Sequence, residues 1–277
     1  MAPEQFLHQR KIPNIRSIHQ THWQGKPLKG LYLIENTLPV ETTKQSEIVL
    51  LIPGIFDPVR GEYGPETVSS LLESKKTSAV YEAHFISNGI CGLLDTAAII
   101  EDLSLILTSS QHTIKMVGLS GGCLMICEAL FELQKKGLQA NSSGALLIGP
   151  HLINYPTFYI KVIRKIIYGD KMLQKVARHA GHPNVPKNSA AGVAWFSDSP
   201  FARVIKTIKA RSPRPGFPIA VETRYFKRDI LSSNGRSRLH WYFDCDQPKP
   251  NIPGNHRGLF RVPQSQQIIY DFCLTDK

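Results

Sequence analysis

The sequence predicts an α/β fold: a mostly parallel, doubly wound sheet carrying an inserted, mainly helical segment. Three observations predict it. Residues 48–52 form a continuous apolar run of the kind buried on both faces of a parallel sheet. Strand-patterned and helix-patterned segments alternate from there to residue 148. The alternation then stops across residues 155–215, where basic residues accumulate, and resumes afterwards.

The elements follow in order. Alternating residues over 15–23, then Gly-Lys-Pro, then 31–34, predict an antiparallel hairpin. A polar loop over 42–46 leads into the strand 47–52, which Pro53-Gly54 ends sharply. Residues 65–73 predict a helix, with Pro65 in its first turn and Glu66 where negative charge suits the helix dipole. A strand over 80–86, a helix over 93–107, a strand over 113–117, a helix over 122–135 and a short strand over 144–148 come next. Beyond the insertion the pattern predicts strands over 217–225 and 238–243 and a final helix over 263–274. The expected organisation is one core domain, residues 1–154 and 216–277, with 155–215 as a basic helical cap.

Composition bounds the function. The 277 residues are 42% hydrophobic and 20% charged, enough for a real core without disulfide or metal staples. No apolar run is long enough to span a bilayer, and no apolar leader opens the chain, so a secretion signal is not expected. The five cysteines are scattered, with no CxxC pair and no zinc spacing. A reducing, cytoplasmic setting and no cofactor or metal are expected. The net charge is +11, and twelve lysines and arginines between Tyr155 and Gly216 face only Asp170 and Asp198, so +10 of it lies there. The charge is therefore one basic surface rather than a general property. Within 158–168, Tyr159, Ile163, Ile166 and Ile167 share one helical face, and Lys161, Arg164, Lys165 and Tyr168 another. A solvated cap surface is the plain reading. The functional reading is attraction to an anionic substrate, such as the phosphates of an acyl thioester, or peripheral contact with an anionic membrane surface. No nucleic-acid module accompanies the charge, so nucleic acid is not expected as a partner.

The chemistry concentrates at turns. Gly118-Leu119-Ser120-Gly121-Gly122 has the GxSxG pattern, with a strand before it and a helix after it. Such a tight turn strains the serine backbone and exposes its hydroxyl at a helix N-terminus, where negative charge is stabilised. The plain alternative is a Gly-rich connection without chemistry. A serine needs a base. Of ten histidines His256 stands out, in the glycine-flanked loop Pro253-Gly-Asn-His-Arg-Gly258. His8, His19, His22, His84, His112 and His240 lie in the N-terminal tail or in or beside strands, His151 follows a strand end, and His179 and His182 belong to the cap. Asp229, after the strand 217–225, is the preferred carboxylate on the chain order Ser, Asp, His; Asp244 and Asp246 are its rivals. The amides for an oxyanion are expected from Gly121 and from the turn after residue 52, at Ile55 (first choice) or Phe56.

Together these motifs resemble the α/β-hydrolase superfamily, and the resemblance covers most of the chain: the N-terminal hairpin, Leu51-Ile-Pro-Gly-Ile-Phe-Asp57, Gly118-Leu-Ser-Gly-Gly122, Asp229 and Gly254-Asn-His-Arg-Gly258. In that superfamily the oxyanion strand commonly ends in His-Gly; here Pro53-Gly54 stands there, a variant found among lipases. A helix usually separates the acid from the next strand, and only about eight residues are available after Asp229. The resemblance implies a serine hydrolase of a carboxylic ester or thioester, acting through an acyl-enzyme. An acyltransferase with the same triad, or a catalytically silent ligand-binding protein of this fold, are the alternatives.

Overall fold

The computed structural model describes residues 12–39, 47–54, 63–74, 76–86, 95–150, 200–210, 216–226, 243, 252 and 263–274. Among these, nine strands and five helices are formed. The strands are β1 (Arg16–Gln20), β2 (His22–Trp23), β3 (Lys26–Pro27), β4 (Leu31–Thr37), β5 (Glu47–Ile52), β6 (Ala79–Phe85), β7 (Thr113–Leu119), β8 (Ser142–Ile148) and β9 (Val221–Arg224). The helices are α1 (Gly64–Glu73), α2 (Thr96–Ser109), α3 (Gly121–Lys135), α4 (Pro200–Ala210) and α5 (Pro263–Leu274).

Seven strands form one sheet in the order β1-β4-β6-β5-β7-β8-β9. From β6 to β9 every pairing is parallel, whereas β1–β4 and β4–β6 are antiparallel. The expected mostly parallel sheet is thus present, with the N-terminal hairpin on its antiparallel flank. A small ribbon, β2–β3, fills the hairpin's connection. Past β9, Phe226 forms an isolated parallel bridge with Ile252, which sets Ile252 beside the continuation of β9. Of the strand expected at 238–243, only Phe243 is among the described residues.

The alternation of side chains along β5 divides the core in two. Ile48, Leu50 and Ile52 face a cluster built with α2, α3 and α4. Val49 and Leu51 face a second, built with α1 and α5. Helices therefore cover both faces, which is why residues 48–52 of β5, 116–119 of β7 and 144–148 of β8 run apolar without alternating with polar residues. Helix α4 falls inside the span 155–215; Val204, Ile205 and Ile208 are buried, while Arg203, Lys206 and Lys209 are exposed. Residues 151–199 and 211–215, the rest of the expected cap, lie outside the described residues. No helix among the described residues is long and apolar enough to cross a membrane.

Candidate active site

Parallel strands deliver their C-terminal ends, and the turns that follow them, to one edge of the sheet. At that edge β7 ends in Leu119 and α3 begins at Gly121, leaving Ser120 alone to make the turn. Its backbone sits at φ 52°, ψ −115°. Among the described residues only Asn14 and Gln24 are other non-glycines with positive φ. Hydrogen bonds hold it there: the Ser120 N–H donates to Ile148 O at 2.9 Å, and Cys123 N–H donates to Ser120 O at 3.2 Å.

The flanking glycines answer to backbone proximity. A Cβ on Gly122 would stand 2.4 Å from Pro53 O and 2.8 Å from Ile52 O, so α3 enters against the end of β5 with no room for a side chain. A Cβ on Gly118 would meet Ile126 Cδ1 at 2.6 Å and the Cys123 backbone at 3.2 Å. The turn is thereby clamped between β5 on one side and its own helix on the other.

Serine at the position before a helix ordinarily spends its oxygen on a backbone amide of the first turn. Ser120 makes no such side-chain bond. The first turn of α3 also carries no acid of its own. Ser120 is only 9% exposed, an approach suited to a small reacting group. The arrangement is a hydroxyl beside a positive helix terminus, able to stabilise an oxyanion built on a carbon attached to it.

One residue that sequence reasoning missed stands at this edge. Tyr63, immediately before α1 and 2% exposed, places its hydroxyl 2.7 Å from Ile52 O and 3.0 Å from Val117 O. No sequence motif marks it.

Of the predicted site residues, Ser120 and Gly121 lie at this turn. Ile55, Asp229, His256, Asp244 and Asp246 lie outside the described residues. Several of the other histidines are seen. His112 precedes β7, at the end of that strand remote from Ser120, and His19 and His22 lie on β1 and β2. His84 is buried on β6, stacked on Tyr32 at 4.8 Å. Phe243, the neighbour of Asp244, packs on Phe131 (5.0 Å) and Phe217 (4.8 Å). Among the described residues no group of three or more His, Cys, Asp or Glu could hold a metal.

No protein-family model matches the chain, and no curated protein matches its sequence. Solved structures do match. It is similar to the monoacylglycerol lipase of Paleococcus ferrophilus, at 19% identity over 88% of this chain and 98% of that one, TM-score 0.56. A fungal esterase from Rhizomucor miehei matches at 15% identity, 95% and 83% coverage and TM-score 0.55. A peroxisomal α/β-hydrolase from Saccharomyces cerevisiae matches at 13% identity, 96% and 91% coverage and TM-score 0.51.

Proposed function

We propose that this chain, which has the α/β-hydrolase fold, is a serine hydrolase that cleaves a carboxylic ester or thioester through an acyl-enzyme. The observation that carries the reading is the state of Ser120: strained, not used as a helix cap, and set at the N-terminus of α3. A serine that merely connected a strand to a helix would relax or cap, because strain of this kind costs about 1–3 kcal/mol. The matching structures, named as esterases, lipases and hydrolases, support ester hydrolysis as the reaction class.

In the proposed mechanism Ser120 Oγ attacks the acyl carbonyl while His256 takes its proton, and the negative charge moves onto the carbonyl oxygen. The amides of Gly121 and Ile55 receive that oxyanion, and such a donor is worth about 10²–10³ in rate. His256 then protonates the leaving alcohol or thiol. Water, activated by the same imidazole, attacks the acyl-serine and releases the acid. Asp229 orients the ring and stabilises its cation.

The bridge between Phe226 and Ile252 supports this choice of partners. Asp229 follows Phe226 by three residues and His256 follows Ile252 by four, and Phe226 and Ile252 stand at the edge of the sheet that bears Ser120. Three strand spacings, about 14 Å, separate β7 from the chain at Ile252. The packing of Phe243 argues against Asp244 and Asp246. Phe131 lies eleven residues along α3 from Ser120, about 16 Å down the helix axis, and Phe217 precedes β9. Phe243, the residue before Asp244, stands at that remote end.

The basic surface gives the substrate its charge in this reading. Arg203, Lys206 and Lys209 stand three residues apart on α4, a helix without an acidic residue. They suit an anionic group on the acyl substrate or a lipid headgroup beside it. Replacing Ser120 by Ala is expected to abolish turnover of a p-nitrophenyl acyl ester and labelling by a fluorophosphonate probe, with circular dichroism unchanged. Wild-type turnover in Ser120→Ala would refute the assignment, and a wild-type protein that the probe does not label would instead be a silent member of this fold.

A further inference from the structure

We propose that Tyr63 is a positioning residue, whose buried hydroxyl holds the C-terminal ends of β5 and β7 at the separation the reaction requires. The inference rests on the reading of Ser120 as the nucleophile. Ile52 is the last residue of β5 and pairs with Gly118 of β7. The pairing of the two strands ends at that rung: β5 continues into Pro53 and Gly54, and β7 into Leu119 and Ser120. Any change in spacing at the rung therefore moves the oxyanion turn relative to the nucleophile.

Two contacts fix that spacing, one from each face of the sheet. From the α3 face, bare Gly122 backbone lies against Ile52 O and Pro53 O, leaving no space for even a methyl group. From the α1 face, the Tyr63 hydroxyl lies within hydrogen-bonding distance of Ile52 O (2.7 Å) and Val117 O (3.0 Å). With one proton it donates to one carbonyl at a time, and either donation ties it to a strand of the pair. Its ring belongs to the same core cluster as Val117 and Leu119, so the aromatic body is held independently of the hydroxyl. Filling the core at this place calls only for a ring; the hydroxyl adds a polar tether where the pairing of the two strands ends. Misplacements of about 1 Å in such a constellation cost on the order of 10²-fold in rate.

The test compares wild type, Ser120→Ala, Tyr63→Phe and a protein with p-aminophenylalanine at position 63, which restores a donor on the same ring. Each is assayed with p-nitrophenyl acetate, and kcat is expressed per site titrated to its endpoint by fluorophosphonate, so that incomplete folding does not imitate a loss. The expected result for Tyr63→Phe is a kcat lower by about 10- to 100-fold, with KM changed by less than about twofold. The p-amino variant should recover most of the loss. Should the phenylalanine protein leave too few sites to titrate, p-methylphenylalanine at 63 replaces it, refilling the volume without a donor. A per-site kcat near wild type in the donor-free variant, or an equal loss in the p-amino variant, overturns the inference. Ester turnover that survives Ser120→Ala overturns the underlying reading first, whatever Tyr63 does.

Discussion

Ser120 at φ 52° and ψ −115° carries a conformational cost of about 1–3 kcal/mol, and its surroundings must enforce it. The bond from Ser120 N–H to Ile148 O and the two glycine contacts do so. The glycines differ in what they touch, and that decides how each tolerates a methyl group. At Gly122 the obstacle is backbone oxygen on β5, which moves only if the strand moves. At Gly118 the nearest atom is the far end of the Ile126 side chain, which can rotate away. Gly122→Ala is therefore expected to lose about 3 kcal/mol and Gly118→Ala about 1 kcal/mol. Urea midpoints at unchanged slope read both values, and the reverse order would show that the Pro53 contact is softer than the geometry says. At this scale the sequence disclosed Ser120 and the spacing of its glycines, because the turn demands those residue types. Tyr63 was not legible, because its role depends on two carbonyls belonging to segments 11 and 54 residues away.

At the scale of elements, one buried carboxylate ties α2 to the start of β4. Asp102 accepts the N–H groups of Lys29 (2.9 Å), Gly30 (2.7 Å) and Leu31 (2.9 Å), pinning the entry of β4 to the helix. Gly30 has no room there for a Cβ, which would lie 2.4 Å from Ile99 N. On the opposite face Lys115 pairs with Glu47 at 3.2 Å and donates to Cys273 O at 2.9 Å, a cation at the C-terminal end of α5 where the helix dipole favours it. Helix α4 differs in offering its polar face to solvent. Its Arg203, Lys206 and Lys209 stripe is expected to lower KM for an anionic ester relative to a neutral one. Charge reversal at Lys206 (Lys206→Glu) should reduce that preference by roughly two- to fivefold at low salt and leave neutral p-nitrophenyl acetate unaffected. Equal effects on both esters would assign the stripe to plain surface.

At the scale of the whole molecule, burial holds three weak acids in their protonated form. Burial pushes the Cys273 thiol up to about 12, against the opposing charge of Lys115 and with help from Glu47. Burial, with Glu82 adding to it, takes the Tyr32 phenol to about 12 as well, and burial and then Glu35 raise Tyr81. Each group holds its proton more tightly folded than unfolded, so the unfolded state has fewer bound protons above the ordinary thiol and phenol values. The stability they contribute is complete below about pH 9 and is lost as pH rises from about 9 to 12. The thermal midpoint is expected to fall over that range, and Tyr32→Phe should flatten the fall. Tyrosinate absorbance appearing well before unfolding would contradict the protonated burial of these phenols.

The sequence by itself determined the alternation of strands and helices, the two-sided burial of β5, and the strand-turn-helix at Ser120. These are local consequences of side-chain period and turn chemistry, so residue order suffices to read them. The terminal helix falls at Pro263–Leu274, as its pattern requires. Tertiary structure decided which strands are neighbours. It set β6 between β4 and β5, fixed the bare contact of Gly122 with Pro53, and brought the Tyr63 hydroxyl to the rung where the pairing of β5 and β7 ends. Those facts depend on atoms distant in the chain meeting to within tenths of an ångström. A one-dimensional pattern carries the residue types such meetings need, but not which of them meet.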